Sequence, residues 1–154
     1  MKINVIMIDK KGKDRLYAPL VEHFLKMAKP YAEVTVIELF DREIAKAQDA
    51  TAEMAKRSYS RAFEKYRKSG AWNIALDPSS GEVDSFEFAE LLKDRSVVNL
   101  FIGGAYGLEE GFLTQCNRAI SFGKITLSHK LVKVVLTEQI FRALTINHNH
   151  PYHK

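Results

Sequence analysis

The chain has 154 residues and a formal net charge of +4, and its composition excludes several classes of protein. Apolar residues make up 46% and charged residues 27%, which is typical of a folded globular domain and not of disordered, collagen-like or low-complexity chains. The length predicts one domain over residues 1–154. The modest positive charge favours a polyanionic partner only weakly.

The cysteine content and the hydropathy pattern indicate which kinds of site and which cellular compartment to expect. The single cysteine, Cys116, excludes an intramolecular disulfide and a multi-cysteine metal site. No segment approaches the roughly 18 consecutive apolar residues of a membrane span. The apolar start at Ile3–Ile8 is followed at once by Asp9 and two lysines, so it predicts a strand and not a signal peptide. We therefore expect a cytoplasmic protein without a membrane partner.

In the first half of the chain, short β-branched segments alternate with helical patterns. Strands are predicted at Ile3–Ile8, Val34–Phe40 and Trp72–Leu76, the last ended by a turn at residues 77–81. A first helix is predicted from a cap at Asp14 to the residue before Pro30, with an apolar face at three- and four-residue spacing; that face comprises Leu16, Leu20, Phe24 and Met27. A long polar helix is predicted over Glu43–Ser69.

The second half of the chain repeats the alternation. Asp84 and Glu87 form a capping-box pair at the start of a helix. A strand is predicted at Val97–Ile102, a helix at Glu109–Ile120, a short strand at Lys124–Leu127 and a last helix at Leu131–Leu144. Strands that alternate with helices predict an α/β domain around a mostly parallel sheet flanked by helices.

Two glycine-containing segments follow predicted strands and are candidates for binding. The segment Gly103–Gly107 matches neither the dinucleotide-binding nor the P-loop pattern, and ligand binding and a simple tight turn explain its glycines equally well. In open α/β sheets, ligands bind beyond the carboxyl ends of strands, where this loop is expected. Residues Phe122–His129, taken alone, are better explained as turn and cap residues.

Charged and histidine-rich segments have simpler explanations. The cations of the long polar helix favour a solvated face over a phosphate-contacting surface; they are Lys56, Arg57, Arg61, Lys65 and Arg67. Glu138 and Arg142 stand four residues apart, as in an exposed helical ion pair. His148 and His150 lack a third ligand at a recognisable spacing, so we expect no metal site.

Together, the C-terminal segments resemble those of the SPOUT-class ribosomal RNA large subunit methyltransferase H family. The resemblance runs from the strand at Lys2–Ile8 to Lys154 and rests on four groups of residues in register. These are Gly103-Gly104 with Gly107-Leu108; Ser121-Phe122, Lys124, Thr126-Leu127, His129 and Leu131-Val132; Glu138-Gln139 with Arg142-Ala143; and Pro151-Tyr152-His153-Lys154. It implies a SPOUT-type fold with a C-terminal trefoil knot, and a homodimer.

The resemblance also implies an activity, which is S-adenosyl-L-methionine-dependent methylation of N3 of a pseudouridine in large-subunit rRNA. The cofactor positions implied by the family are Leu76, Gly103, Phe122, Gly123, Lys124, Ile125, Thr126 and Leu127. The chain departs from the usual family pattern at Ser128 and Lys130, at Lys133, where arginine is common, and at Tyr106. These departures concern RNA contacts more than the cofactor.

For the reaction we expect direct methyl transfer to the ring nitrogen. The N3 proton must leave, and imidazole is a common general base, so His129 and His153 are both candidates. Lys133, Arg142 and Lys154 are candidates for stabilising the developing negative charge. The family resemblance also implies that the tail lies by the cofactor and the substrate, which would give Tyr152 and His153 positions where stacking or proton transfer is possible. Cys116 is interpreted as a buried helix residue and not as a nucleophile.

Two other functions compete with this hypothesis. A non-catalytic RNA-binding or ribosome-assembly protein need not bind S-adenosylmethionine, so cofactor titration separates it from an enzyme. A related knotted methyltransferase would act on tRNA or on a 2′-hydroxyl. The small size leaves little surface for recognising free RNA, so the assembled ribosome is the expected substrate.

Overall fold

A computed structural model describes residues 1–12 and 14–154. The structure contains a five-stranded sheet in the order β2-β1-β4-β3-β5, and every pairing is parallel. Its strands are β1 (Lys2–Ile8), β2 (Glu33–Leu39), β3 (Trp72–Glu82), β4 (Val97–Ile102) and β5 (Arg118–Ser121). Because all strands run the same way, the loops that follow them meet at one edge of the sheet.

Over residues 1–12 and 14–154, six helices cover the two faces of this sheet, as predicted for the α/β class. They are α1 (Ala18–Ala28), α2 (Arg42–Ala50), α3 (Ala52–Glu64), α4 (Ser85–Leu92), α5 (Glu110–Gln115) and α6 (His129–Asn147). On one face, Phe88 of α4 and Leu136 of α6 pack with the strands, and on the other Tyr59 and Phe63 of α3 do so. β1 supplies both cores because alternate side chains of a strand point to opposite faces.

Three strands are held in register by asparagines, of which Asn73 and Asn99 are buried and Asn4 is partly buried. Asn4 of β1 donates to Asn99 of β4 at 2.8 Å, and Asn99 donates to Asn73 of β3 at 3.1 Å and to the carbonyl of Tyr66 at 2.7 Å. The same three asparagines are backbone partners in the strand register. A one-residue slip would leave buried amides without partners, so these hydrogen bonds favour a single register.

The predicted first helix begins later than expected. It starts at Ala18, since Asp14 instead accepts backbone hydrogen bonds from Tyr17 at 2.8 Å and Leu16 at 3.2 Å and closes a turn. The predicted apolar face was also wrong in part. Leu16 is 71% exposed, and Leu20 and Met27 are exposed as well.

The predicted helix over Glu43–Ser69 is two helices. Thr51 is extended, with φ −142° and ψ 157°, and its hydroxyl accepts from the backbone N–H of Met54 at 3.1 Å. The hydroxyl of Thr51 takes the place of a backbone acceptor that a continuous helix would use, so a new helix, α3, begins after Thr51.

The chain around β5 also differs from the prediction. The segment Lys124–Leu127 is a loop, and the strand lies at Arg118–Ser121, inside the helix predicted over Glu109–Ile120. Pairing with β3 outweighs local helix propensity there. The turn predicted at residues 77–81 lies within β3, where the register shifts between Leu76 and Gly81. α6 also extends beyond the predicted Leu131–Leu144.

Within the described residues, none of the helices is both long and apolar enough to cross a bilayer. The trefoil knot implied by the resemblance stays a prediction.

Candidate cofactor cleft

Three segments, one within a strand and two in loops that follow strands, surround a cleft of about 280 Å³ at the carboxyl edge of the sheet. They are the β3 segment at residues 76–78, the glycine loop after β4 at residues 103–107, and the loop after β5 at residues 122–128, which leads into α6. The first turns of α6 close the cleft with Val132 and Val135. Segments far apart in sequence therefore build one site, because parallel strands end at a common edge.

The structure brings together most of the cofactor positions implied by the resemblance. Of these positions, the ones that line the cleft are Leu76, Gly103, Phe122, Gly123, Ile125, Thr126 and Leu127. Lys124 belongs to the same loop but does not line the cleft. Ile125 is 75% exposed, so it stands as an apolar side chain at the rim.

The glycine loop packs too closely for larger residues. A Cβ on Gly104 would overlap the ring of Tyr59, and a Cβ on Gly103 would lie 2.9 Å from the backbone carbonyl of Gly107. Gly107 has a φ of +77°, and its N–H donates to the carbonyl of Gly104 at 3.0 Å. The glycines therefore let the loop fold back on itself at the end of β4.

The loop after β5 is shaped by local hydrogen bonds. The Ser121 hydroxyl donates to the carbonyl of Gly123 at 2.6 Å and accepts from its N–H at 3.1 Å. Gly123 has a φ of +137°, which side chains other than glycine rarely adopt. Ser128 then caps α6 by accepting from the backbone of Leu131 at 3.4 Å. Ser128 is thus a cap residue, as the sequence indicated.

Sequence reasoning missed several residues of the cleft. Asp77 and Pro78 line it directly after Leu76, with Ser121 and the two valines of α6. Asp77 supplies the one carboxylate among the described lining residues, and it accepts a backbone hydrogen bond from Ser79 at 3.0 Å. Its position after a strand was a usable signal, but the turn motif that surrounds it suggested a purely structural role.

Of the five residues predicted for catalysis, His129 lines the cleft, where it is the first residue of α6. Lys133, one turn later, does not. Its side chain is 6% exposed, and its Nζ lies 2.8 Å from the carboxylate of Glu38 and 3.4 Å from that of Asp9. Lys130 pairs with the same Asp9 at 2.7 Å. The two lysines therefore hold the beginning of α6 against the ends of β1 and β2.

We expect Lys133→Met to lower the free energy of unfolding by about 3 kcal/mol. This is the lower end of the range of about 3–5 kcal/mol that is typical when one partner of a buried ion pair is removed. The cause is that Glu38 loses its cation while remaining mostly buried. Urea denaturation measures the loss. Lys133→Arg should keep most of the stability, and Lys133→Met combined with Glu38→Gln should lose less than the two single variants summed. A Lys133→Met variant as stable as the wild type would contradict the expectation.

The tail residues form a second cluster further along α6. The Arg142 Nε donates to Glu138 at 3.0 Å, its guanidinium lies 4.8 Å from the ring centre of Tyr152, and an Arg142 Nη lies 3.2 Å from His153 Nδ1. The Tyr152 hydroxyl donates to Glu138 at 3.1 Å. His153 packs edge-on against Phe86 at 4.6 Å.

Electrostatics in this cluster are dominated by Glu138. Its hydrogen bond raises the pKa of Arg142, and partial burial followed by the contact with Glu138 raises the pKa of Tyr152. None of Arg142, Tyr152 and His153 lines the cleft. Arg142 lies two turns beyond the cleft residue Val135, about 10 Å along the helix axis.

The contacts of Cys116 and His148 support structural roles for both residues. Cys116 is half-buried at the end of α5, and burial raises the pKa of its thiol to about 11, which leaves little thiolate near neutral pH. His148 stacks on Tyr31 at 4.9 Å between ring centres, with Nδ1 2.8 Å from the carbonyl of Leu144. Over residues 1–12 and 14–154, no three His, Cys, Asp or Glu residues come together as a metal site would require.

Comparison with known proteins assigns the family. A family model described as "Predicted SPOUT methyltransferase" matches residues 1–153. The chain is 75% identical to "Ribosomal RNA large subunit methyltransferase H" of Sulfurovum sp., and 48% and 46% identical to the proteins of the same name from Wolinella succinogenes and Campylobacter fetus. Each match covers 100% of both chains. The chain therefore belongs to the SPOUT methyltransferases and, within them, to the ribosomal RNA large subunit methyltransferase H family.

Proposed function

We propose that this protein uses S-adenosyl-L-methionine to methylate N3 of a pseudouridine in large-subunit rRNA, acting on the assembled ribosome. The observation that carries the proposal is the cleft that one segment of β3 and the loops after β4 and β5 form at the carboxyl edge of the sheet in a chain of this family. We further propose that residues 1–154 form one methyltransferase domain. A ribosomal substrate would place the activity in the cytoplasm.

The residues of the cleft fit the proposed cofactor. Its walls are mainly apolar, with Leu76, Ile102 and Val132 among them, while the glycine loop and the loop after β5 expose main-chain groups. Such a surface suits an adenine ring bound by backbone hydrogen bonds. The carboxylate of Asp77 suits a ligand that carries a positive charge. When bound, the cofactor supplies an electrophilic methyl group on its sulfonium sulfur.

The chain's own residues then have to bind the base and remove its N3 proton. His129 lines the cleft and is one proton acceptor in the proposal, and His153 of the tail is the other. Arg142 and Lys154 are the cations proposed to stabilise negative charge on the ring. Lys133 was predicted for the same role, but its pairing with Glu38 supports a positioning role instead.

We also propose that the active unit is a homodimer in which the tail of one protomer meets the cleft of the other. Two observations support this. The tail residues predicted for catalysis do not line their own cleft. Large apolar side chains are also exposed near α1, α6 and the tail, which suits a protein interface; they are Leu16, Leu20, Phe86, Ile125 and Leu131.

The deciding experiment incubates the protein with methyl-labelled S-adenosylmethionine and either unmodified ribosomes, naked large-subunit rRNA or tRNA, followed by nucleoside mapping. We expect label in N3-methylpseudouridine, with ribosomes preferred over naked rRNA. Calorimetric titration with S-adenosylmethionine should show binding. Label in tRNA would favour the related tRNA methyltransferase, and absence of cofactor binding would favour a non-catalytic assembly protein.

A further inference from the structure

Two surface grooves beside the cofactor cleft share the same pair of lysines. The first groove, of about 550 Å³, lies between the end of β1 and the start of α1, and is lined by Lys10, Lys11, Arg15 and Lys130 among others. The second groove, of about 660 Å³, lies between the end of β2 and α3, and is lined by Lys10 and Lys11 together with Arg61 and Lys65. Lys10 and Lys11 therefore stand where the two grooves meet.

The acidic residues of both grooves are already engaged. Asp14 and Asp41 accept backbone N–H groups of Tyr17 and Ile44, each at 2.8 Å. Glu38 pairs with Lys133, and Glu43 pairs with Arg61 at 2.9 Å. These contacts use the carboxylates for caps and ion pairs within the protein.

Four exposed cations of the grooves are available to bind an anion. Among residues 1–12 and 14–154, no carboxylate lies within ion-pair distance of Lys10, Lys11, Arg15 or Lys65. These four residues form a basic track. Lys10 and Lys65 lie over aromatic rings, with Nζ 4.9 Å from the ring centre of Phe40 and 5.1 Å from that of Tyr66. Such contacts orient an ammonium group without neutralising it.

Most of the basic track lies on the same edge of the sheet as the cofactor cleft. Lys10, Lys11 and Arg15 follow the end of β1, whereas the cleft lies along residues 76–78 of β3 and beyond the ends of β4 and β5, and all five strands are parallel. Lys65 directly follows α3 and joins Lys10 and Lys11 in the second groove. Lys130 of the first groove directly follows His129 of the cleft. A polyanion bound along the track would therefore pass beside the site where the methyl group is transferred.

We propose that the basic track binds backbone phosphates of the rRNA that flank the target nucleotide. This inference rests on the proposed function, since it names how that substrate is held. Lysine and arginine side chains without internal partners release counterions when they contact phosphates, which gives affinity without sequence information. The track would thus supply affinity, while the cleft and the tail act on the base.

The test compares Lys10→Gln/Lys11→Gln with a matched control, Lys2→Gln/Lys93→Gln. Lys2 begins β1 at the opposite edge of the sheet, and Lys93 follows α4; both are exposed, and each pairs with a surface glutamate. Three quantities are measured for each variant: the Kd for S-adenosylmethionine, the KM for unmodified ribosomes, and the salt dependence of binding to those ribosomes.

We expect the track variant to keep the cofactor Kd of the wild type and to raise the KM for ribosomes about tenfold at low salt. A plot of log affinity against log salt concentration should have a slope that is shallower by about 1.4 in the track variant than in the wild type. The reason is that each of the two lost phosphate contacts removes about 0.7 from the slope for single-stranded RNA. Lys10→Arg/Lys11→Arg should retain wild-type binding. Unchanged KM and salt dependence in the glutamine variant, or equal losses in the control, would overturn the proposal.

The outcome is separable from that of the proposed function. If the wild type transfers no methyl group to ribosomes, the proposed function fails, while the binding measurements still decide whether Lys10 and Lys11 contact RNA. Ribosome binding with the same salt dependence in the wild type and the track variant would refute the basic track even if methylation is observed.

Discussion

Gly104→Ala is expected to lower the free energy of unfolding by about 1–3 kcal/mol and to weaken binding of S-adenosylmethionine at least tenfold. The new Cβ would overlap the ring of Tyr59. That ring has no room to retreat, because it is fully buried and its hydroxyl accepts a hydrogen bond from Gln48 at 2.6 Å. The glycine loop must therefore move, and the cleft that it lines changes shape. Thermal unfolding and calorimetric titration measure the two effects.

The matched control is Gly111→Ala. Gly111 lies in α5, and a Cβ there would meet nothing within 4 Å. Alanine has the higher helix propensity, so this variant should be as stable as the wild type or slightly more stable. Tyr59→Leu should partly rescue Gly104→Ala by removing the ring atoms that clash. Additive losses in the double variant would show that the contact with Tyr59 is not the cause.

Deleting Tyr152–Lys154 is expected to reduce methylation more than 100-fold while the Kd for S-adenosylmethionine changes by less than about threefold. The proposal places Tyr152 and His153 at the substrate, whereas neither lines the cofactor cleft of its own protomer. Methylation of ribosomes and calorimetric titration separate the two effects. Full activity in the truncated protein would remove the tail from the mechanism.

Truncation also removes packing, because Tyr152 lies 4.6 Å from Phe141 between ring centres. Tyr152→Phe keeps this contact and loses only the hydrogen bond to Glu138, so it controls for stability. Mixing the truncated chain with Gly104→Ala then tests the dimer. If the tail acts across the dimer, mixed dimers contain one complete site and recover part of the activity. No recovery in dimers shown to be mixed would indicate that the tail acts on its own protomer.

The sequence predicted the α/β class and four of the five strands, because β-branched segments bounded by polar residues are a local signal. It misplaced β5, whose four residues form a strand through pairing with β3 and not through their own propensity. The break at Thr51 was missed for a related reason. The local preference of Thr51 for capping a new helix over continuing the first one is small. The packing of α2 and α3 on the sheet therefore decides between one helix and two.

The candidate site, like the fold, was predicted from the sequence only in part. The resemblance supplied Leu76, Gly103 and the loop after β5 as cofactor positions, and the structure places most of them around one cleft. It did not predict Asp77 as part of the lining, because a turn motif masks its position on β3. Lys133 was a candidate for catalysis because of its positive charge, at a position where the family commonly has arginine, whereas its contacts with Glu38 and Asp9 depend on how α6 crosses the sheet.

The amino-acid sequence alone determined the class of fold, the family and the residue types available for chemistry, since these depend on local hydropathy and on motifs read along the chain. Only the tertiary structure decided which of those residues share a cleft, which cations are neutralised by carboxylates and which stay free. Those outcomes depend on distances between segments far apart in sequence. Such distances are set by the parallel order of the strands and by side-chain packing, and neither is encoded at a single position.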